Sequence, residues 1–160
     1  MIRAWEGLGY NRRAVRLQHI ARHVVEQRGG HLPRELADLV RLEGVGSYTA
    51  AAVACFAFGI PMPVLDTNIR RVLSRVLFGL RSVSLKDLCR GAQSLVEALP
   101  AGKASSWSQA LMDLGATVCI QRLPRCSICP VRQDRVAAPL IQHARGQPIA
   151  ESPAPYRARQ

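Results

Sequence analysis

Residues 42–76, LEGVGSYTAAAVACFAFGIPMPVLDTNIRRVLSRV, decide how the rest of the chain is to be understood. Leu42 closes an apolar series, Leu36, Leu39, Val40 and Leu42, that recurs at helical spacing behind Pro33. Proline suits the first turn of a helix, where its missing N–H has no partner to lose, so Pro33 is expected to open a short helix. Gly44-Val45-Gly46 interrupts it. Two glycines one residue apart let the backbone turn sharply and present its N–H groups outward. After Ser47 the run TAAAVACFAFG is small and apolar, as expected of a buried helix, and Gly59, Pro61 and Pro63 stop it. Asp66 or Thr67 can then cap a further helix carrying Ile69, Val72, Leu73, Val76 and Leu77, whose other face shows Arg70, Arg71 and Arg75.

Outward from this block the pattern stays helical. Residues 12–28 group Val15, Leu17, Ile20, Ala21, Val24 and Val25 on one side of a helical wheel, and Gly29-Gly30 ends that helix. Ser84 opens a helix through Leu85, Leu88, Ala92, Leu95, Val96 and Leu99, closed by Pro100 and Gly102, and a last one runs from about Ser105 to Gly115. Strand-like alternation is not found. The expected fold class is all-α, one domain over residues 1–138 including a cysteine loop at 119–135. From Pro139 the composition turns to Pro, Gln, Arg and Ala without periodicity, so residues 139–160 are expected to form a flexible tail.

Charge narrows the partner. The chain of 160 residues holds 22 basic residues against 11 acidic ones, a net charge of +11, and its only lysines are Lys86 and Lys103. Arginine's planar fork grips phosphate through two bonds, so a polyanion is the expected partner, although charge alone also fits a merely soluble, adhesive chain. There is no apolar run of the roughly 18 to 20 residues that a membrane span needs, and MIRAWEGLGY has no leader-like apolar core. The expectation is a cytoplasmic monomer. Of five cysteines, Cys119, Cys126 and Cys129 crowd together, and an odd number in a reducing compartment favours a metal site over disulfides. Cys55 and Cys89 fall on apolar helix faces and are expected in the core.

The hairpin and the start of the helix that follows it can together hold an anion, because exposed amides and the positive end of the helix dipole point the same way. An ordinary helix-helix turn would show the same Gly-x-Gly. Asp66 is read here as a helix cap.

The long string from Leu42 to Val76 closely resembles the helix-hairpin-helix, Gly/Pro-rich loop and catalytic Asp signature of base-excision DNA glycosylases, of the endonuclease III and adenine glycosylase type. Trp5-Glu6-Gly7-Leu8-Gly9-Tyr10 and the Arg-rich helix after it resemble the adenine branch, and the similarity spans roughly residues 4–130. The resemblance implies Asp66 as the catalytic residue and Leu42, Gly44, Val45, Gly46, Tyr48 and Thr49 as the contacts to double-stranded DNA holding a mispaired or damaged base. Bifunctional members carry a nucleophilic lysine where this chain has Tyr48, so the implied activity is removal of adenine opposite 8-oxoguanine or guanine without strand cleavage. A thymine or uracil mismatch glycosylase and a non-catalytic DNA-binding protein are the alternatives. In a bacterium the protein would sit with the nucleoid.

Two features depart from the family pattern. The adenine enzymes protonate the departing base with a glutamate upstream of the Trp-Gly-Leu-Gly-Tyr segment. Glu6, Glu26, Glu35 and Glu43 do not match that position, so the expectation is that the glutamate segment is absent, through a truncated gene, a misassigned start or a degenerate paralogue. The spacing of Cys119, Cys126 and Cys129 resembles the family's four-iron, four-sulfur (4Fe-4S) loop, but Arg135 stands where the fourth cysteine is expected. A cluster with Asp134 or His143 as substitute ligand, a zinc site using His143, and no metal at all are the three readings.

Overall fold

The structure, a computed structural model, describes residues 3–7, 9–79 and 83–133. Arg135, the substitute ligands Asp134 and His143, and the tail expected from Pro139 lie outside the described residues. All regular structure among the described residues is helical. Six α-helices follow one another: α1 (Arg12–Arg28), α2 (Leu36–Val40), α3 (Ser47–Phe58), α4 (Thr67–Leu77), α5 (Leu85–Glu97) and α6 (Ala104–Thr117), with 3-10 turns at Arg3–Trp5 and Cys126–Ile128. Among the described residues no helix is long and apolar enough to cross a membrane. The described residues divide into two compact units, the first ending at Ile60 and the second beginning at Pro61.

In the first unit the helix ends are set by glycine. Gly29 and Gly59 close α1 and α3 at φ +59° and +68°, a left-handed conformation that costs other L-residues energy. Helix α2 begins at Leu36, three residues later than Pro33 suggests, because Glu35 stays extended at ψ 134° and its carbonyl takes the N–H groups of both Asp38 and Leu39. Leu39 and Leu42 are buried, as are Ala50, Ala54 and Cys55 on one side of α3. The other side of α3 is not: Tyr48 and Phe56 are exposed, so this helix is buried on one face only. On α1 only Ala14 and Val24 are buried, while Val15, Leu17 and Val25 reach solvent. The arc of apolar positions on the wheel is wider than the strip that is covered.

The second unit is built on α4. Asp66 caps it, accepting from Ile69 N–H at 2.6 Å, and Ile69 and Leu73 join Leu88 and Ala92 of α5 in a buried cluster with Trp107, Leu111 and Met112 of α6 against it. Helix α4 touches α6 most extensively. The approach is so close that a Cβ on Gly115 would stand 2.8 Å from the Asn68 Cβ. Ser84 caps α5, whose Leu88, Ala92 and Val96 repeat every four residues inward. Cys89, one residue past Leu88, therefore points away by about 100° of helical turn and is exposed, contrary to its expected place in the core.

Candidate functional site

Two sets of residues carry chemistry, one in each unit. In the first unit the chain passes from α2 through Leu42-Glu43-Gly44-Val45-Gly46 into α3. Val45 N–H closes the turn on the Leu42 carbonyl at 3.0 Å, and Gly44 sits at φ +78°. Leu42 is buried, so its side chain anchors the hairpin from within and any part it takes at the surface is through its backbone. Gly44, Tyr48 and Thr49 are exposed and Val45 and Gly46 half-buried. Among the described residues no side chain of the capping position closes the start of helix α3 at Ser47, where the positive end of the helix dipole lies.

One residue at the hairpin was not singled out from the sequence. The aliphatic stem of Arg16 on α1 lies against Gly44, where a Cβ would come within 2.9 Å of its Cδ. A guanidinium is thereby carried to the flank of the turn. Arg16 looked like any other polar residue of an amphipathic helix. Nothing in its local spacing marks the contact, which depends on where α1 passes the hairpin. Upstream, Trp5 Nε1 donates to the Gly9 carbonyl at 2.9 Å, and exposed Tyr10 follows at φ +49°.

In the second unit Asp66 is half-buried at the start of α4. Its Oδ1 is engaged by the cap, and among the described residues Oδ2 has no hydrogen-bond partner. Five residues on, Arg71 Nη2 donates to Asn68 Oδ1 and to the Gly115 carbonyl, both at 2.8 Å, and its Nε donates to the Cys119 carbonyl at 2.9 Å. Burial pulls the Arg71 guanidinium below its ordinary value, neighbouring Arg75 adds to the fall, and Cys119 and Asp66 oppose it. The arginines of α4 thus do not form the single outer face that the sequence suggested. Arg70 is exposed, but Arg71 is half-buried and Arg75 buried, because the carbonyls after α6 need donors and these two residues, four apart, supply them.

Cys119, Cys126 and Cys129 line one cleft together with Arg75, Val76, Leu114, Val118, Pro124 and Arg125. The loop between them is closed by Arg125 N–H donating to the Val118 carbonyl at 2.8 Å. Arg122, Arg125 and Arg132 are exposed around it. Among the described residues no three ligating side chains are gathered about a single ion position. Cysteine thiolates are the donors that both zinc and iron–sulfur groups take, and these three share one cleft.

A hairpin between α2 and α3, a Gly/Pro loop and a capping Asp at the next helix are one continuous pattern, and residues 2–97 match the model of the HhH-GPD superfamily of base excision DNA repair proteins. The chain belongs to that superfamily. Among HhH-GPD relatives it is 45% identical over 139 residues to an adenine DNA glycosylase of Mycolicibacterium smegmatis, covering 84% of this chain and 46% of that one. It is 48% identical over 132 residues to the adenine DNA glycosylase of Homo sapiens, covering 79% and 24%. The chain thus spans about half the length of the bacterial relative and a quarter of the human one. Among solved structures, a thermostable thymine-DNA glycosylase superposes with a TM-score of 0.75 at 33% identity over 87% of this chain and 64% of that one. A non-covalent endonuclease III–DNA complex gives 0.66 at 27% identity, over 86% and 62%.

Proposed function

We propose that this chain carries the glycosylase module of a base-excision repair protein that removes adenine from mispairs in duplex DNA. The observation that carries the proposal is Asp66, a half-buried carboxylate with one oxygen fixed by the α4 cap, within an HhH-GPD chain whose relatives are adenine DNA glycosylases. Breaking the N-glycosidic bond sends its electron pair to the base and leaves positive charge on the deoxyribose. A carboxylate held beside C1′ stabilises that charge and orients the water that adds there; the water loses a proton and the departing base takes one up through solvent, giving an abasic sugar and neutral adenine. To be reached, the adenine leaves the stack, and the hairpin amides with Arg16 hold a phosphate while it does so.

Hydrolysis without strand cleavage follows from Tyr48 standing in the hairpin where the lyase members carry a lysine. Lys86 lies in the first turn of α5 and Lys103 just before α6, both exposed and neither within the hairpin stretch of the sequence. For the cysteine loop the reading that the donor set supports is an iron–sulfur group on Cys119, Cys126 and Cys129. Its place is structural, stiffening a surface rich in arginine.

The superposition on a thymine-DNA glycosylase favours one second reading, thymine opposite guanine as the substrate. Base release by the purified chain on duplexes with adenine opposite 8-oxoguanine, adenine opposite guanine, or thymine opposite guanine separates the two. Free adenine from the first two, with an intact strand until alkali is added, is the expected result. Thymine release in its place would move the substrate to the second reading.

A further inference from the structure

The inward face of α4 holds an arginine that base release does not use. Arg75 is only 4% exposed. Its Nη1 donates to the Ile120 carbonyl at 2.8 Å and stands 3.4 Å from both the carbonyl and the Sγ of Cys119, while Nη2 donates to the Gln121 carbonyl at 3.0 Å. The same side chain lines the cleft shared by Cys119, Cys126 and Cys129. Burying a guanidinium is costly unless its N–H groups are satisfied, and three successive carbonyls meet that need. The sulfur contact goes further, because an N–H aimed at a thiolate brings a positive charge to the atom that would bind iron. Arg71 offers a comparison inside the molecule, since it reaches the Cys119 carbonyl but not the sulfur.

We propose that Arg75 is the positioning residue of the cysteine loop: it fixes Cys119 Sγ at the shared cleft and offsets the negative charge of the iron–sulfur group held there. This rests on the iron–sulfur reading of the loop. The fork ties residues 119–121 to a rigid helix, so the first ligand is in place through the protein's own bonds. Residues that orient metal ligands in this way typically change metal affinity by about 10- to 100-fold when altered. Hydrogen bonds and positive charge at a ligand sulfur also favour the reduced, more negative cluster, so their removal lowers its reduction potential.

The test reconstitutes the full chain anaerobically with ferrous iron and sulfide, then measures iron and labile sulfide per chain, the rate at which a chelator removes the visible absorbance, and the reduction potential. Helix content is followed by circular dichroism throughout. The wild type is expected to take up the cluster. Arg75→Gln should lose it about tenfold faster or more, at a lower potential. Arg75→Lys, which keeps the charge without the fork, should lose it at an intermediate rate and carries the test if the glutamine variant does not fold. Arg71→Gln, which removes a charge near Cys119 but no bond to its sulfur, should shift the potential less than Arg75→Gln. Wild-type potential and loss rate in a folded Arg75 variant would overturn the role of Arg75 and leave the iron–sulfur reading standing. Failure of the folded wild type to take up iron and sulfide would overturn both.

Discussion

Substitution can separate the cap that Asp66 makes from the catalytic role proposed for it. Asparagine caps a helix about as well as aspartate, so Asp66→Asn should leave the start of α4 intact, whereas Asp66→Ala removes the bond to Ile69 N–H and should cost about 0.5–2 kcal/mol in a urea titration. Gly115 is constrained by its neighbour: Gly115→Ala pushes a methyl group into the Asn68 Cβ and should destabilise by about 1–3 kcal/mol, measured the same way. The cap at Asp66 could be found from the sequence because a short polar acid stands directly before an apolar helical run. Gly115 could not, since its role depends on how closely α6 crosses α4. Arg75 was visible as a basic residue, but its burial against the carbonyls of residues 119–121 was not, because pairing across more than forty residues leaves no local trace.

Helix boundaries were the most legible elements, and the reason is local chemistry. Gly29 and Gly59 adopt the left-handed caps that their position after apolar runs implies, and Ser84 caps α5 as a serine before such a run should. Which side of a helix is covered was less legible: Cys89, Leu17 and Val25 all fall on expected apolar faces and are exposed. At the start of α5 the Ser84 hydroxyl donates to Asp87, which is also paired with Arg90, and these two contacts hold the Asp87 carboxyl below its ordinary value of 3.8. A carboxyl lowered by folding stabilises the folded state above its unfolded value and loses that contribution as pH falls through the folded one. Asp87→Asn should therefore lower the urea midpoint at about pH 6 and converge with the wild type well below about pH 4. An equal gap at both ends would place the effect in something other than this charge. Ser84→Ala should cost about 1 kcal/mol through loss of the cap.

For the whole molecule, the proposed function with a net charge of +11 predicts that duplex affinity is an ion-exchange process. Fluorescence anisotropy on an unmodified duplex should show log affinity falling linearly with log salt. The loss should be on the order of 10³-fold or more between about 50 and about 200 mM if six or more phosphates are contacted. Such binding would be shared by an enzyme and by a protein that only grips DNA, so it leaves the central claim to chemistry. The decisive comparison is single-turnover adenine release from an adenine·8-oxoguanine duplex by the wild-type chain and by Asp66→Asn, with duplex affinity and thermal midpoint measured on both. The account predicts release by the wild type and a loss of about 10²- to 10³-fold or more in the variant, with affinity and midpoint nearly unchanged. Equal release by the two, or none by a folded wild type that binds the duplex, would contradict it.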